Sequence, residues 1–349
     1  MKVVHSPLHA RHDGGVELYR GQLVPLFEKP ERAAMILAAL EAAGHEVMPP
    51  RDIAESRLHR VHDAEFVAFL RGAHARWLAE GRQGHVLPSG FPARGMRRDR
   101  RPSGISGMLG YYAFDASTPI VGGTWDAALA AARGAMTAAA LVIEGEAAAY
   151  ALCRPPGHHA GRSSFGGYCY LNNAALAAQY LLDEGCRRVS VIDVDYHHGN
   201  GTQEIFWERD DVQFVSLHGT PETEYPWFLG YAEERGEGRG AGHTLNLPLP
   251  AGSGWDVYAD ALGTALEAIR RYAPDALVVS LGVDTFEADP ISSFKLKAQH
   301  YPLIGSSLAS LGRPTVLVQE GGYAVAEIGS NVAGVVSAFT LHGRRPPTS

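Results

Sequence analysis

Hydrophobic positions along the chain fall into two alternating kinds of run. Short stretches at residues 2–5, 149–153, 189–194, 212–217, 276–281 and 315–319, most of them β-branched, are apolar with little internal alternation. That pattern predicts strands covered on both faces, as in a parallel sheet. Between them, longer alanine-rich stretches carry apolar residues at helical spacing, predicting helices over 31–43, 63–80, 125–143, 173–184, 255–271 and 326–341. Asp63 and Thr124 stand where N-caps are expected, although Ala127 denies Thr124 a full capping box. The strand–helix rhythm predicts one α/β domain over 1–349, a mostly parallel multi-stranded sheet flanked by helices. No internal repeat is visible.

One segment breaks the rhythm. Residues 82–104 hold six arginines, three prolines and four glycines with a single acid, Asp99. They read as an insertion, either solvated or packed on another subunit through its guanidinium groups.

Composition narrows the class without deciding it. Of 349 residues 46% are hydrophobic and 20% charged, close to globular averages, so general disorder is excluded. A net charge of −7 argues against nucleic acid or an anionic membrane as partner. No uninterrupted apolar run has the length of a membrane span. Cys153, Cys169 and Cys186 fit neither a disulfide framework nor a CxxC knuckle and read as reduced thiols. The N-terminus reaches His5, His9, His12 and Asp13 before an apolar leader could form, so the expectation is a cytoplasmic protein without a signal peptide.

Functional residues of open parallel sheets collect beyond the carboxyl ends of the strands. After 149–153 comes Arg154-Pro155-Pro156-Gly157-His158-His159. After 189–194 comes Asp195-Tyr196-His197-His198-Gly199-Asn200-Gly201, in which alternation on extended chain would put Asp193, Asp195 and His197 on one side. After 276–281 comes Gly282-Val283-Asp284, and after 315–319 comes Glu320-Gly321-Gly322-Tyr323. Two carboxylates and an imidazole make a three-ligand metal site with a position left for water. Each fragment alone is common; four at four strand ends are not.

These stretches, RPPGHHA (154–160), FGGYCYLNNAA (165–175), DVDYHHGNGTQ (193–203), SLHG (216–219), SLGVDTFEADP (280–290) and EGGY (320–323), closely resemble the histone deacetylase-like amidohydrolases. GYYAFDAST, GGTWDAAL, FLGYAEERGEG and the length of the insertion are most similar to the bacterial acetylpolyamine amidohydrolases. The resemblance implies the arginase/deacetylase-like fold and zinc-dependent hydrolysis of the acetamide of N-acetylated diamines or polyamines, of the acetylputrescine, acetylcadaverine and acetylspermidine class, by a metal-activated water.

It implies Asp195, His197 and Asp284 as zinc ligands, a donor set that would also accept Fe²⁺ or Co²⁺. His159 becomes general base and then acid, His158 its electrostatic partner oriented by Asp193, and Tyr323 the donor to the developing oxyanion. His159 would face Asn200, a neutral amide that leaves the ring unprotonated near pH 7. Tyr168 and Tyr225 are implied as walls of a tunnel beside Gly167, with Glu17 as a rim carboxylate. Ser106 and Ser117 stand where glutamates were expected, and Asp115 is the nearest acid. Potassium is implied at Asp193, Asp195, His197, Ser216 and Leu217, with a second site at Phe206, Arg209 and Val212. A homodimer through 82–104 is implied as well.

The principal alternative is a protein acetyl-lysine deacetylase with an open mouth. A binuclear manganese ureohydrolase needs further aspartates, and a catalytically silent binding protein would have lost a ligand, base or tyrosine that are all present.

Overall fold

The computed structural model describes residues 1–342 of the 349, so the last seven positions of the expected domain lie outside it. The strands are β1 (Lys2–Val4), β2 (Val16–Tyr19), β3 (Gln22–Pro25), β4 (Glu46–Met48), β5 (Ala148–Ala151), β6 (Val189–Asp193), β7 (Val212–Gly219), β8 (Thr244–Leu249), β9 (Ala276–Leu281) and β10 (Thr315–Gln319). The helices are α1 (Glu31–Ala42), α2 (Ala64–Ala79), α3 (Ile105–Tyr112), α4 (Thr124–Ile143), α5 (Asn173–Asp183), α6 (Asn200–Phe206), α7 (Trp255–Tyr272), α8 (Tyr301–Ala309) and α9 (Val325–His342). Eight strands form one sheet in the order β4-β1-β5-β10-β9-β6-β7-β8, parallel throughout. A separate antiparallel hairpin, β2–β3, turns at Arg20 and Gly21, both at positive φ.

The unbroken apolar runs are explained by burial on both faces. Val189 and Val191 of β6 enter one core with residues of α4 and α5, whereas Ile192 enters the other with residues of α1, α7 and α9. At roughly 25 cal/mol per Å² of apolar surface removed from water, these two layers are the main driving force for the architecture. The long alanine-rich α4 is apolar enough to cross a membrane by length and composition, which the reading of uninterrupted runs did not anticipate. Most of it, 78% of the apolar window, is packed inside the fold.

Two cap expectations are corrected. Asp63 holds the cap position of α2 but makes no capping bond; Ser163 donates its hydroxyl to that carboxylate instead. Thr124 is the first residue of α4 rather than its cap, and its hydroxyl meets the Val121 N–H at 2.8 Å and His12 Nδ1 at 2.9 Å. The 82–104 segment is largely exposed; a one-residue bridge from Val86 to Ile120, and hydrogen bonds from Arg101 to Glu65 and to the Tyr112 hydroxyl, tie it to the body. All three cysteines are free thiols.

The order of the central strands positions the site. β5, β10, β9 and β6 are consecutive neighbours. The four fragments that follow them therefore leave the same edge of the sheet side by side.

Candidate active site

Three ligand-type atoms converge where β6 and β9 end. The carboxylates of Asp195 and Asp284 and the imidazole of His197 offer donors all within 4.8 Å of one another, and all three residues are buried. His197 Nδ1 lies 3.0 Å from Asp284 Oδ2 and 3.4 Å from Asp195 Oδ1. Burial alone would lower its pKa, but the bonds and charges of the two aspartates outweigh it and push it up to about 10. The two carboxylates thus favour positive charge at this point. Two oxygens and one nitrogen at this spacing fit a first-row divalent ion with an open position.

Backbone donors aim each carboxylate: Asp195 accepts from His197 N at 2.9 Å and from Gly321 N at 2.7 Å, and Asp284 from Tyr196 N at 2.7 Å. A Cβ at position 321 would sit 2.6 Å from carboxylate oxygens of both aspartates, so only glycine lets the β10 turn approach this closely.

The expected alternation of Asp193, Asp195 and His197 does not survive. β6 ends at Asp193, and the chain then coils through two Asx-type turns in which Asp193 Oδ1 accepts from Asp195 N and Asp195 Oδ1 from His197 N. Asp193 is thereby released toward His158, whose Nδ1 it meets at 2.9 Å.

The two histidines of the β5 turn sit in opposite electrostatic surroundings, with ring centroids 4.1 Å apart. Burial opposes charge on both. On His158 the Asp193 and Asp195 carboxylates overcome it and raise the pKa to about 10, so this ring is an imidazolium. On His159 burial acts with the neighbouring charges of His158 and His197 to push the pKa well down. His159 Nδ1 donates to Asn200 Oδ1 at 2.7 Å, which leaves the lone pair on Nε2.

Tyr323 completes the group. Burial holds its phenol protonated, well above the ordinary range, and the Arg32 guanidinium lies over its ring, 4.7 Å from the centroid.

His159, His197 and Tyr323 line a cleft of about 570 Å³, together with Glu17, Phe114, Asp115, Ser117, Gly167, Tyr168, Tyr225, Trp227 and Ile291 among its walls. Tyr168 adopts a left-handed backbone, donates its hydroxyl to Glu17 Oε1 at 2.9 Å and packs edge-on to Tyr323. Gly167 at φ +57° lies against the His159 ring, where a Cβ would be 2.3 Å from Cδ2. Tyr225 donates to Asp115 Oδ2 at 2.9 Å, and Gly167 N donates to the same oxygen at 2.6 Å.

Glu17, expected as a rim carboxylate, lies at the cleft but faces away from water. The β2–β3 hairpin turns its side chain inward, where it is fully buried behind Tyr168 and burial raises its pKa to about 7. Ser117 lines the cleft, whereas Ser106 lies on α3 and accepts a hydrogen bond from Arg82. Ser216 and Leu217 lie on β7, with Ser216 in register with Asp193 of β6. His198 and His218 are buried and hydrogen-bonded to neutral groups, outside the three-donor cluster.

Sequence reasoning passed over Phe114, which stacks on Tyr225 with centroids 6.1 Å apart. It also passed over Glu320, whose Oε2 accepts from Gly157 N at 2.6 Å and His158 N at 3.1 Å and so holds the histidine turn against β10. Phe114 stands inside GYYAFDAST and Glu320 opens EGGY, and that adjacency was the available signal.

Residues 26–339 match the model of the histone deacetylase domain. Acetylpolyamine amidohydrolase 1 of Pseudomonas aeruginosa is 52% identical over 341 residues, covering 97% of this chain and 99% of that protein. Acetylpolyamine amidohydrolase of Mycoplana ramosa is 50% identical, covering 96% and 98%. The crystal structure of acetylpolyamine aminohydrolase from Burkholderia pseudomallei superposes with a TM-score of 0.93 at 40% identity, covering 98% of this chain and 99% of that one.

Proposed function

The chain belongs to the histone deacetylase domain family, and from that premise we propose that it is a zinc-dependent amidohydrolase removing the acetyl group from N-acetylated diamines and polyamines. The observation that carries this reading is the convergence, at one end of the cleft, of a three-donor cation site, a neutral histidine and a protonated phenol. A divalent ion held by Asp195, His197 and Asp284 supplies Lewis acidity and lowers the pKa of water beside it.

The chain's own residues do the rest. His159 Nε2 accepts a proton as water attacks the acetamide carbon, and the carbonyl π electrons move onto oxygen. Tyr323 donates its hydroxyl proton in a hydrogen bond to that oxygen as its charge grows. The C–N bond then breaks, His159 returns the proton to the leaving nitrogen, and free amine and acetate result. The His158 imidazolium, held in place by Asp193, lies beside His159 with ring centroids 4.1 Å apart and keeps that ring neutral until it takes the proton from water.

Aromatic walls from Tyr168, Tyr225 and Phe114 suit a methylene chain. Asp115 and Glu224, against Arg20 as the one arginine among the described lining residues, favour a cationic second amine. With zinc-loaded protein, kcat/KM for acetylputrescine, acetylcadaverine or acetylspermidine should exceed that for an acetyl-lysine peptide by tenfold or more, about 1.4 kcal/mol in transition-state binding. A peptide preference would overturn the small-amine reading in favour of a protein deacetylase.

The neutral partner of His159 makes a separate prediction. Asn200→Asp puts a carboxylate on Nδ1 and stabilises the imidazolium, so less neutral base remains at a given pH. The acid limb of the pH–kcat/KM profile should move to higher pH, and an unmoved limb would count against His159 as the base. Adjacency of Asp193, Ser216 and Leu217 across β6 and β7 supports a potassium ion there. The exposed Phe91, Met96 and arginines of 82–104 support a homodimer through that segment.

A further inference from the structure

Tyr323 follows two glycines, and Gly322 stands at φ +119°. Among the described residues its phenol oxygen makes no hydrogen bond, so the direction of the hydroxyl is set from the ring face and from the backbone. The turn before it is tied at Gly321 N to Asp195 Oδ2, at 2.7 Å, and at Gly322 O to Arg32 Nε, at 2.5 Å. Besides the Arg32 and Tyr168 contacts to its ring, Tyr323 makes one hydrogen bond among the described residues: its N–H donates to Asp289 Oδ2 at 2.7 Å.

Asp289 is buried and held in place for that contact. Its other oxygen accepts from Ile291 N at 3.1 Å, and its own N–H donates to Phe286 O at 3.0 Å. The loop after β9 thus carries Asp284 at the cation site and, five residues on, the carboxylate that grips the tyrosine of the neighbouring β10 loop.

We propose that Asp289 is the positioning residue for Tyr323, clamping its backbone so that the phenol points at the developing oxyanion. A tilt of roughly 10° about Cα carries a hydroxyl ~6.5 Å away by about 1 Å, which is enough to lose a hydrogen bond made in the transition state. Ile291, turned by the same carboxylate, lines the cleft beside Tyr323, so the clamp aligns wall and donor together. The inference rests on the oxyanion role given to Tyr323 above.

The test is a double-mutant cycle on metal-loaded enzyme with an acetylated diamine. Tyr323→Phe should lower kcat by ~10²-fold. Asp289→Ala and Asp289→Ser, two truncations in case one fails to fold, should lower kcat by roughly 10–10²-fold with KM within about threefold and metal content unchanged. Asp289→Asn keeps an amide oxygen for the Tyr323 N–H and should recover kcat to within about threefold of the parent. In the Tyr323→Phe background either truncation should cost no more than about threefold, because the donor it positions is gone.

Full additivity of the two losses would overturn the clamp, as would an impaired Tyr323→Phe enzyme beside unimpaired Asp289 truncations. A fully active Tyr323→Phe enzyme would overturn the oxyanion role itself, and the clamp with it.

Discussion

Replacing His159 by alanine is expected to lower kcat for an acetylated diamine by ~10²–10⁴-fold, the range that a positioned general base contributes, with KM changed by no more than about threefold. The size follows from the absence of a substitute. His158 is the other imidazole of the turn, but its Nδ1 is paired with Asp193 and its pKa is raised to about 10, so near neutrality it has no lone pair to offer. His159 carries its proton on the nitrogen facing Asn200 and the lone pair on the nitrogen facing the cleft. Steady-state kinetics with a thermal melt of the variant checks this. A loss under about tenfold in a folded, metal-loaded protein would assign the proton transfer elsewhere.

Asp284→Ala should be at least as damaging. It leaves a single carboxylate and an imidazole at the cation site, and two protein donors hold a divalent ion far more weakly than three. Metal content should fall from about one equivalent per chain to a small fraction after dialysis, and activity by ~10³-fold or more. The parent enzyme, stripped by a chelator, should regain activity with zinc, and reloading with Fe²⁺ or Co²⁺ tests whether the same donors accept those ions. A variant that keeps a full equivalent of metal and parental activity would show that Asp284 is not a ligand. The substitution has a second consequence to control for: the Tyr196 N–H, now bonded to Asp284 Oδ1 at 2.7 Å, loses its acceptor. Asp284→Asn, which keeps an oxygen for that N–H, separates the two effects.

The central strands were legible because they are uninterrupted apolar runs buried on both faces, β-branched in all but β5, a pattern that half-exposed strands and surface helices do not produce. The edge strands were not. β4 is three residues long and begins with Glu46, and β8 mixes Asn246 and Pro248 into its apolar positions, so neither has the composition that signals a covered strand. The β2–β3 hairpin escaped for a related reason: each strand has four residues, and the Arg20-Gly21 turn is a weaker signal than Asn-Gly.

The chemistry of the site was written in the chain, since Asp195-x-His197, His158-His159, Asp284 and Gly321-Gly322-Tyr323 are local groupings whose residue types restrict what they can do. Their assembly was not. Parallel strands of similar composition carry no label for their neighbours, and the insertion of β10 between β5 and β9 is a long-range pairing that hydrophobic pattern does not encode. The tertiary fold alone decided that the four loops lie side by side and that Glu17 points inward behind Tyr168, and it formed the Asp193–His158 pair that the resemblance had implied. It alone brought Asp289 to the backbone of Tyr323. Local sequence sets which groups are available; the direction in which a buried carboxylate points depends on whichever distant N–H or hydroxyl must be satisfied there.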